Sequence, residues 1–459
     1  MKALLGFQAA IWEDLVLQAS HQRRTVLYAT VAVGAMYRCR HAASQSPRVC
    51  TFQDAPHRLA LSHYGKAISQ LRSYMARSDG SSPEELTTVV LVTCLLFICF
   101  DMLQGDQTSA ISHLVKGLRI LFEHSGPRTF LSRNRRDSIS GRAATGPMGT
   151  LSEVYVRLDA DSTMFGQRVP YLYSTSYNNA GLDLHPPCAF NTTKEARIYL
   201  DKLTSVAFGF RGKLLQLAEK DINAMCRPES DHMRHYCVVY AMARRIDISS
   251  MPHLLARKVG MINALEAWLT ALRSLDRDGE SPALLLLRIQ QFFPWFIIST
   301  FQNTRECLHD NLKDKFAEVV DLAVKYVELT RDSSSGFAFM LEPGIIASLY
   351  LVGTKCRDTC IRRRALGLLR GATVQEGLWS GKIYAAFVER LINLEEQRAR
   401  DLIGADDELG ILSEEARFSD VVLASDPKAP GYGRLICARF VHEETGELEI
   451  IEDRFRIVV

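Results

Sequence analysis

The chain has 459 residues, 47% apolar and 23% charged, and 55 Lys and Arg against 52 Asp and Glu give a net charge of +3. That length exceeds one small core, so two or more packed lobes are expected. The near-balance of charge argues against the dense basic face of a dedicated nucleic-acid-binding domain and against a charge-driven membrane anchor.

The first residues, MKALLGFQAAIWEDLVLQ, lack a long apolar stretch and carry Glu13 and Asp14, so they do not read as a secretory signal. Asp54-Ala55-Pro56 opens a helix whose apolar face, Leu59, Ala60, Tyr64, Ala67, Ile68, Leu71, Tyr74 and Met75, repeats at the helical period. Ser82-Pro83-Glu84-Glu85 is a stronger start: a cap, a proline, then two acids that favour the helix dipole. The helix that follows contains Val89 to Phe100, VVLVTCLLFICF. Twelve helical residues span about 18 Å against a hydrocarbon core of about 30 Å, so the run is expected to be a buried core helix. The next helix carries Ile111, Leu114, Val115, Leu118, Leu121 and Phe122 and ends at Gly126-Pro127. Residues 127–148 are rich in Arg, Ser and Gly, have no apolar period, and read as an exposed flexible linker.

Helical pattern resumes over 154–167, and the proline-bearing loop 182–190 precedes a helix from Thr193 to about Phe208. Gly209-Phe210-Arg211-Gly212 reads as a helix end or turn. Residues 261–275 are amphipathic; Pro282 starts a fully apolar helix that Pro294 is expected to kink or interrupt. Further helices are predicted over 312–329, from Pro343 toward Cys356, and from Asp358 or Thr359 to Gly371. Another follows Trp379 through Ile383, Phe387 and Leu391 to Glu395-Glu396. The last segment changes period: RFSDVVLA, YGRLICARFVHE and ELEIIEDRFRIVV alternate and are separated by Pro-Gly and Thr-Gly turns, which predicts a small antiparallel sheet. The fold class is therefore mainly α. An N-terminal helical lobe (1–126), the linker (127–148), a main helical lobe (149–416) and a C-terminal β element (417–459) make a two-lobed protein.

Eleven cysteines, an odd and scattered set, suit buried free thiols in a reducing compartment. Cys226, His232, His235 and Cys237 form the best metal-like cluster, with mixed ligands that suit zinc. The competing reading is a surface loop running into a helix, because Pro228 breaks the first half and the spacing matches no finger. Cys356 and Cys360 lie one helical turn apart, where Arg357 and Arg362 to Arg364 would lower a thiol pKa and make a redox pair; buried structural thiols are the alternative. Arg362, Arg363, Arg364 and Arg370 would suit phosphates, or a helix face salt-bridged to its neighbours. No G-x-S-x-G elbow, Gly-rich phosphate loop after a strand or H-E-x-x-H occurs, so neither an enzyme nor a cofactor is expected.

Six blocks carry a resemblance. WEDLVLQASHQRRTVLYATVAVGAMY (12–37), ALSHYGKAISQLR (60–72) and LVTCLLFICFDMLQGDQTSAISHLVKGLRIL (91–121) come first, then RLDADSTMFG (157–166) and the P-x-x-F…EAR-x-Y-L-D-x-L stretch (187–203). KCRDTCIRRRALGLLRGATVQEGLWSG (355–381) is the most specific. In this order and spacing they resemble the regulatory region of fungal binuclear zinc-cluster transcription factors, with Asp101 where that family usually has glutamate. The resemblance implies an all-helical regulatory domain of a nuclear transcription regulator, commonly of secondary-metabolite or catabolic genes. The family's DNA-binding head has six cysteines in C-x2-C-x6-C form that bridge two zinc ions; no C-x2-C pair occurs in this sequence. The expectation is a regulatory body without its own zinc-cluster head, and without sequence-specific DNA binding. It would act through protein partners, an intact zinc-cluster relative or a second copy, or through a small effector. The alternatives are a metabolic accessory protein or enzyme on the same scaffold, and a full DNA-binding factor whose start lies upstream.

Overall fold

The apolar periodicity of the first part of the chain becomes a set of packed helices. The structure is a computed structural model that describes residues 10–45, 55–76, 82–125, 146–176, 184–225, 232–278, 281–330, 336–403, 412–425, 432–442 and 445–456. A π-helical turn (Ala10–Val16) leads into α1 (Leu17–Gln22), α2 (Arg24–Gln45), α3 (Ala55–Ala76), α4 (Pro83–Gln104) and α5 (Gln107–Ser125). The start of α4 is as the sequence predicts: the Ser82 hydroxyl accepts from Glu85 N at 3.2 Å, and Pro83 occupies the first turn. Gly105, at φ +83°, ends it in the left-handed conformation that glycine adopts without a Cβ penalty. Every residue of α4 from Val89 to Leu103 is buried.

Helix α6 (Pro147–Ser162) follows, then α7 (Tyr171–Ser176) and the long α8 (Thr193–Met225). The expected linker falls largely outside the described residues, and α6 begins at Pro147, inside its predicted last residues. Next come α9 (His232–Ala243), α10 (Pro252–Leu272), α11 (Pro282–Thr300) and α12 (Lys313–Thr330). A short strand β1 (Ala338–Met340) precedes α13 (Ile346–Lys355) and α14 (Thr359–Gly371); β2 (Val374–Glu376) and β3 (Trp379–Ser380) precede α15 (Gly381–Ile403). The chain continues through β4 (Asp420–Ser425), β5 (Tyr432–His442) and β6 (Glu447–Arg456), the predicted antiparallel sheet, in the order β4-β5-β6.

Two apolar cores result. The first gathers the π turn and α2 to α5 with Leu151, Val154, Tyr155 and Leu158 of α6; the second gathers α8 to α15, with Ala160 from the far end of α6. Helix α6 therefore belongs to both. By length and composition α4 and α11 are long and apolar enough to cross a membrane, yet 83% and 78% of their apolar windows are buried in protein. An all-apolar helix is stable in such a setting because it is surrounded.

Three expectations need correction. Gly209 to Gly212 are not a turn but lie inside α8. A Cβ on Gly209 would meet the Tyr173 ring at 2.3 Å and one on Gly212 the Arg168 carbonyl at 2.3 Å, so these glycines serve close helix packing. Pro294 does not interrupt α11, which runs unbroken through it, so the carbonyl of Gln290 one turn back lacks the N–H that any other residue would donate. A second small sheet was also unexpected: β1 pairs in parallel with β2 and β2 antiparallel with β3. The Glu376-Gly377-Leu378-Trp379 turn is the tip between β2 and β3, with Gly377 at φ +57° and its N–H bonded to Met340 O at 2.7 Å.

The C-terminal sheet is a layer between helices. Along β5, Leu435 and Cys437 join the second core, while Ile436 and Ala438 pack on Cys237 and Ala241 of α9. The other side is tied to α15 by Arg390 with Asp453 and Arg398 with Glu449.

Candidate functional site

The sequence blocks that carry the resemblance meet in space. Lys355 to Asp358 end α13 and start α14. Asp358 caps α14 by accepting from Ile361 N at 3.0 Å. Lys355 Nζ donates to Glu306 Oε1 at 2.9 Å and Arg357 Nη1 to Glu306 Oε2 at 3.0 Å. Arg244 reaches the same carboxylate at 3.1 Å, and His309 Nδ1 lies 3.2 Å from it. Arg357 continues to Glu395 at 2.6 Å, and Arg244 to Asp420 at 3.3 Å. Burial favours a neutral Glu306, but Lys355, His309 and Arg357 hold its carboxyl well below the usual range. Lys355 is the softest member: burial and the neighbouring arginines pull its pKa down. The C-terminal sheet docks here, because Lys355 and Arg244 donate to Ser419 O at 2.6 and 2.7 Å.

A second network joins the blocks at 157–166 and 187–203. Arg157 Nε donates to Glu342 Oε1 at 2.7 Å and Nη1 to Asp201 Oδ2 at 2.9 Å; Arg197 Nη2 donates to Glu342 Oε2 at 3.0 Å. Burial works against the Arg157 charge, yet the two carboxylates hold its pKa above the ordinary value. Trp379 Nε1 donates to Asp161 Oδ1 at 2.8 Å. Burial, with the nearby Glu376 charge, pushes the Asp161 carboxyl up to about 7. Glu376 accepts from the N–H groups of Gly344, Ile345 and Ile346 at 2.8, 3.0 and 2.9 Å, where α13 begins. Gln375 Nε2 donates to Met102 O at 2.8 Å, tying the small sheet to α4 and the first core.

Beside the second network lies a partly enclosed cavity of about 80 Å³. Its apolar wall is Leu200, Phe208, Phe293, Pro294, Ala160 and Ala347; its polar wall is Arg157, Arg197, Asp161, Asp201, Thr204, Gln290 and Ser348, with Pro343 and Gly344 at one side. Four helices, α6, α8, α11 and α13, supply these side chains. An apolar cleft with a few placed polar groups is the usual form of a small-molecule site.

The candidates named from sequence are placed as follows. Cys226 and the His232 side chain lie outside the described residues. His235 Nε2 is 3.8 Å from Glu219, whereas Cys237 is fully buried with Sγ 3.8 Å from Ile436 O. Among the described residues no three His, Cys, Asp or Glu side chains converge as metal ligands would. Cys356 is buried and Cys360 exposed, both as free thiols. The proposed lowering of a thiol pKa fails for Cys356: burial pushes it up to about 11. The four arginines are all ion-paired. Arg362 is buried against Glu395 at 2.6 Å, and its Nε donates to Gly353 O at 2.7 Å. Arg363, Arg364 and Arg370 pair with Glu396, Asp321 and Glu389 on the surface. Sequence reading singled out neither the cavity nor Glu306 and Glu342. Their signal was a lone acid in a poorly patterned stretch, which single-sequence periodicity does not register.

The profile of the fungal specific transcription factor domain matches residues 9–196, the first core with α6, α7 and the start of α8. The chain is 23% identical over 488 aligned positions to the aspercryptin biosynthesis cluster-specific transcription regulator of Emericella nidulans, covering 90% of this chain and 74% of that protein. No solved structure matches the chain. Residues 9–196 thus match a fungal specific transcription factor domain, and the chain is transcription-regulator-like over 90% of its length.

Proposed function

We propose that this protein controls transcription of secondary-metabolite genes in the nucleus. It acts through protein partners, under the control of a small effector held between α6, α8, α11 and α13. The observation that carries the reading is the cavity itself, since Arg157 and Asp161 of its charged wall come from α6, the element shared by both cores. An occupant touching Arg157 and Asp161 touches the helix that both cores pack against. A bound molecule shifts a conformational equilibrium only by its differential contacts with the two states, and a junction between cores is where such contacts differ. The partners proposed are an intact zinc-cluster relative or a second copy of this chain. The role is regulatory and not catalytic.

Deletion of the gene, with transcript measurement across the genome, tests the reading. The expected outcome is a coordinated change in a contiguous set of biosynthetic genes. Full complementation is expected from the wild-type chain, and an effector-blind phenotype from Ala347→Leu, which fills the cavity. Unchanged transcripts in the deletion strain would refute it.

A further inference from the structure

The cavity has a chemical bias that follows from which of its polar groups are already engaged. Most of its donors are engaged. Arg157 and Arg197 donate to Glu342 and Asp201. The Gln290 side-chain amide donates to Pro343 O at 2.7 Å and the Ser348 hydroxyl to Ile289 O at 2.8 Å. Its acceptors are not all taken. Because Pro294 has no N–H, the Gln290 carbonyl lacks its helical donor, and both residues line the cavity. Asp161, with one carboxyl oxygen receiving the Trp379 indole, is a second acceptor, and the Thr204 oxygen a third.

The charges also balance. Arg157 and Arg197 are matched by Asp201 and Glu342, and burial pushes the remaining wall carboxyl, Asp161, up to about 7, toward its uncharged form. No surplus positive charge remains to offset the desolvation of an anion, and a cation would sit against two guanidiniums. Size adds a constraint. An apolar void of roughly 150 Å³ holds benzene; at about 80 Å³ this cavity admits one edge of a ring or a short branched chain, with the rest of the molecule at the mouth.

We infer that the occupant is an uncharged small molecule with an apolar body and a hydroxyl or amide N–H end, which donates to the Gln290 carbonyl, Thr204 and Asp161 while its body packs on Phe208 and Phe293. This rests on the effector reading above and narrows it to a ligand class.

Ligand-observed NMR on the full chain with benzyl alcohol, benzoate and benzylammonium tests it, since these differ in their end group alone. Benzyl alcohol is expected to bind about tenfold more tightly than either ion. Thr204→Val, which keeps the shape and removes the hydroxyl, is expected to weaken benzyl alcohol by about threefold to tenfold. Ala347→Leu and, independently, Phe208→Trp are expected to abolish its signal, with circular dichroism verifying that each variant is folded. Benzoate or benzylammonium binding more tightly than the alcohol, and lost in the filled variants, would overturn the ligand class and leave the effector site standing. Absence of binding by all three probes, or binding unaffected in a folded filled variant, would overturn both.

Discussion

Glu306 has no exposed surface and meets two arginines, a lysine and a histidine, each from a different part of the chain except the neighbours Lys355 and Arg357. Its removal leaves buried cations without their shared anion, a situation that typically costs about 3–5 kcal/mol. Glu306→Ala is therefore expected to lower unfolding stability by about that amount in urea titrations, whereas Arg363→Ala, at an exposed pair, is expected to change it by less than about 1 kcal/mol. Equal effects of the two would contradict the central place of Glu306. Asp161 makes a pH-dependent prediction. Its carboxyl titrates at about 7 in the fold against an ordinary value of 3.8. Between those values the folded chain holds the extra proton, so this group's contribution to stability falls as pH rises through the window and stays low above it. Asp161→Asn keeps an oxygen for the Trp379 indole and cannot ionise. Its melting temperature relative to wild type is expected to be higher at pH 8 than at pH 5; a difference independent of pH would show that Asp161 is not the titrating group. At this scale the sequence was informative where chemistry is local. Asp358 as a cap was legible because an N-cap is read from neighbouring residues. The contrast between buried Arg362 and exposed Arg363 and Arg364 was not, because it depends on where Glu395 arrives from α15.

Helices announced by periodicity, caps and glycine stops appear in the fold within a few residues, α4 and α14 most clearly. The misread stretch in α8 shows what such reading omits. Glycine in a helix costs about 1 kcal/mol relative to alanine, so Gly209 and Gly212 argue for a break unless something must approach the backbone. The Tyr173 ring and the Arg168 carbonyl do approach it. Gly209→Ala thus gains about 1 kcal/mol of propensity but drives a methyl to 2.3 Å from the Tyr173 ring. Overpacking of a tight contact costs about 1–3 kcal/mol, so net destabilisation is expected in thermal melts, and Tyr173→Leu is expected to restore part of it in the double variant. A stabilised single variant would mean the contact yields. The strands β1 to β3 escaped notice for a different reason. Each is three residues or fewer, and Ala338 finds its partner at Val374, so no local alternation marks them.

The two cores are not independent bodies, because α6 contributes to both and the Gln375 bond to Met102 O joins the small sheet to α4. Heating is expected to give one transition, coincident by far-UV circular dichroism and by tryptophan fluorescence. Two resolved steps would mean that the first core unfolds on its own. The cavity belongs to this scale as well. Arg157, Asp161, Arg197 and Asp201 stood in blocks that the sequence made visible, but their meeting with Glu342, Phe293 and Pro294 is a product of tertiary assembly.

The order in which the charged groups around Glu306 are synthesised has its own consequence. A growing chain acquires Arg244 first, then Glu306, then Lys355 and Arg357, with Glu395 and Asp420 only afterwards. From the synthesis of Lys355 until the ribosome has passed residue 420, the cationic groups outnumber their acidic partners, and the Ser419 carbonyl that receives Lys355 and Arg244 has yet to be made. The segment from α9 to α15 is thus barred from its final packing during most of translation. The Glu306 network is completed only when the last sheet arrives, and the second core cannot reach its final packing before then.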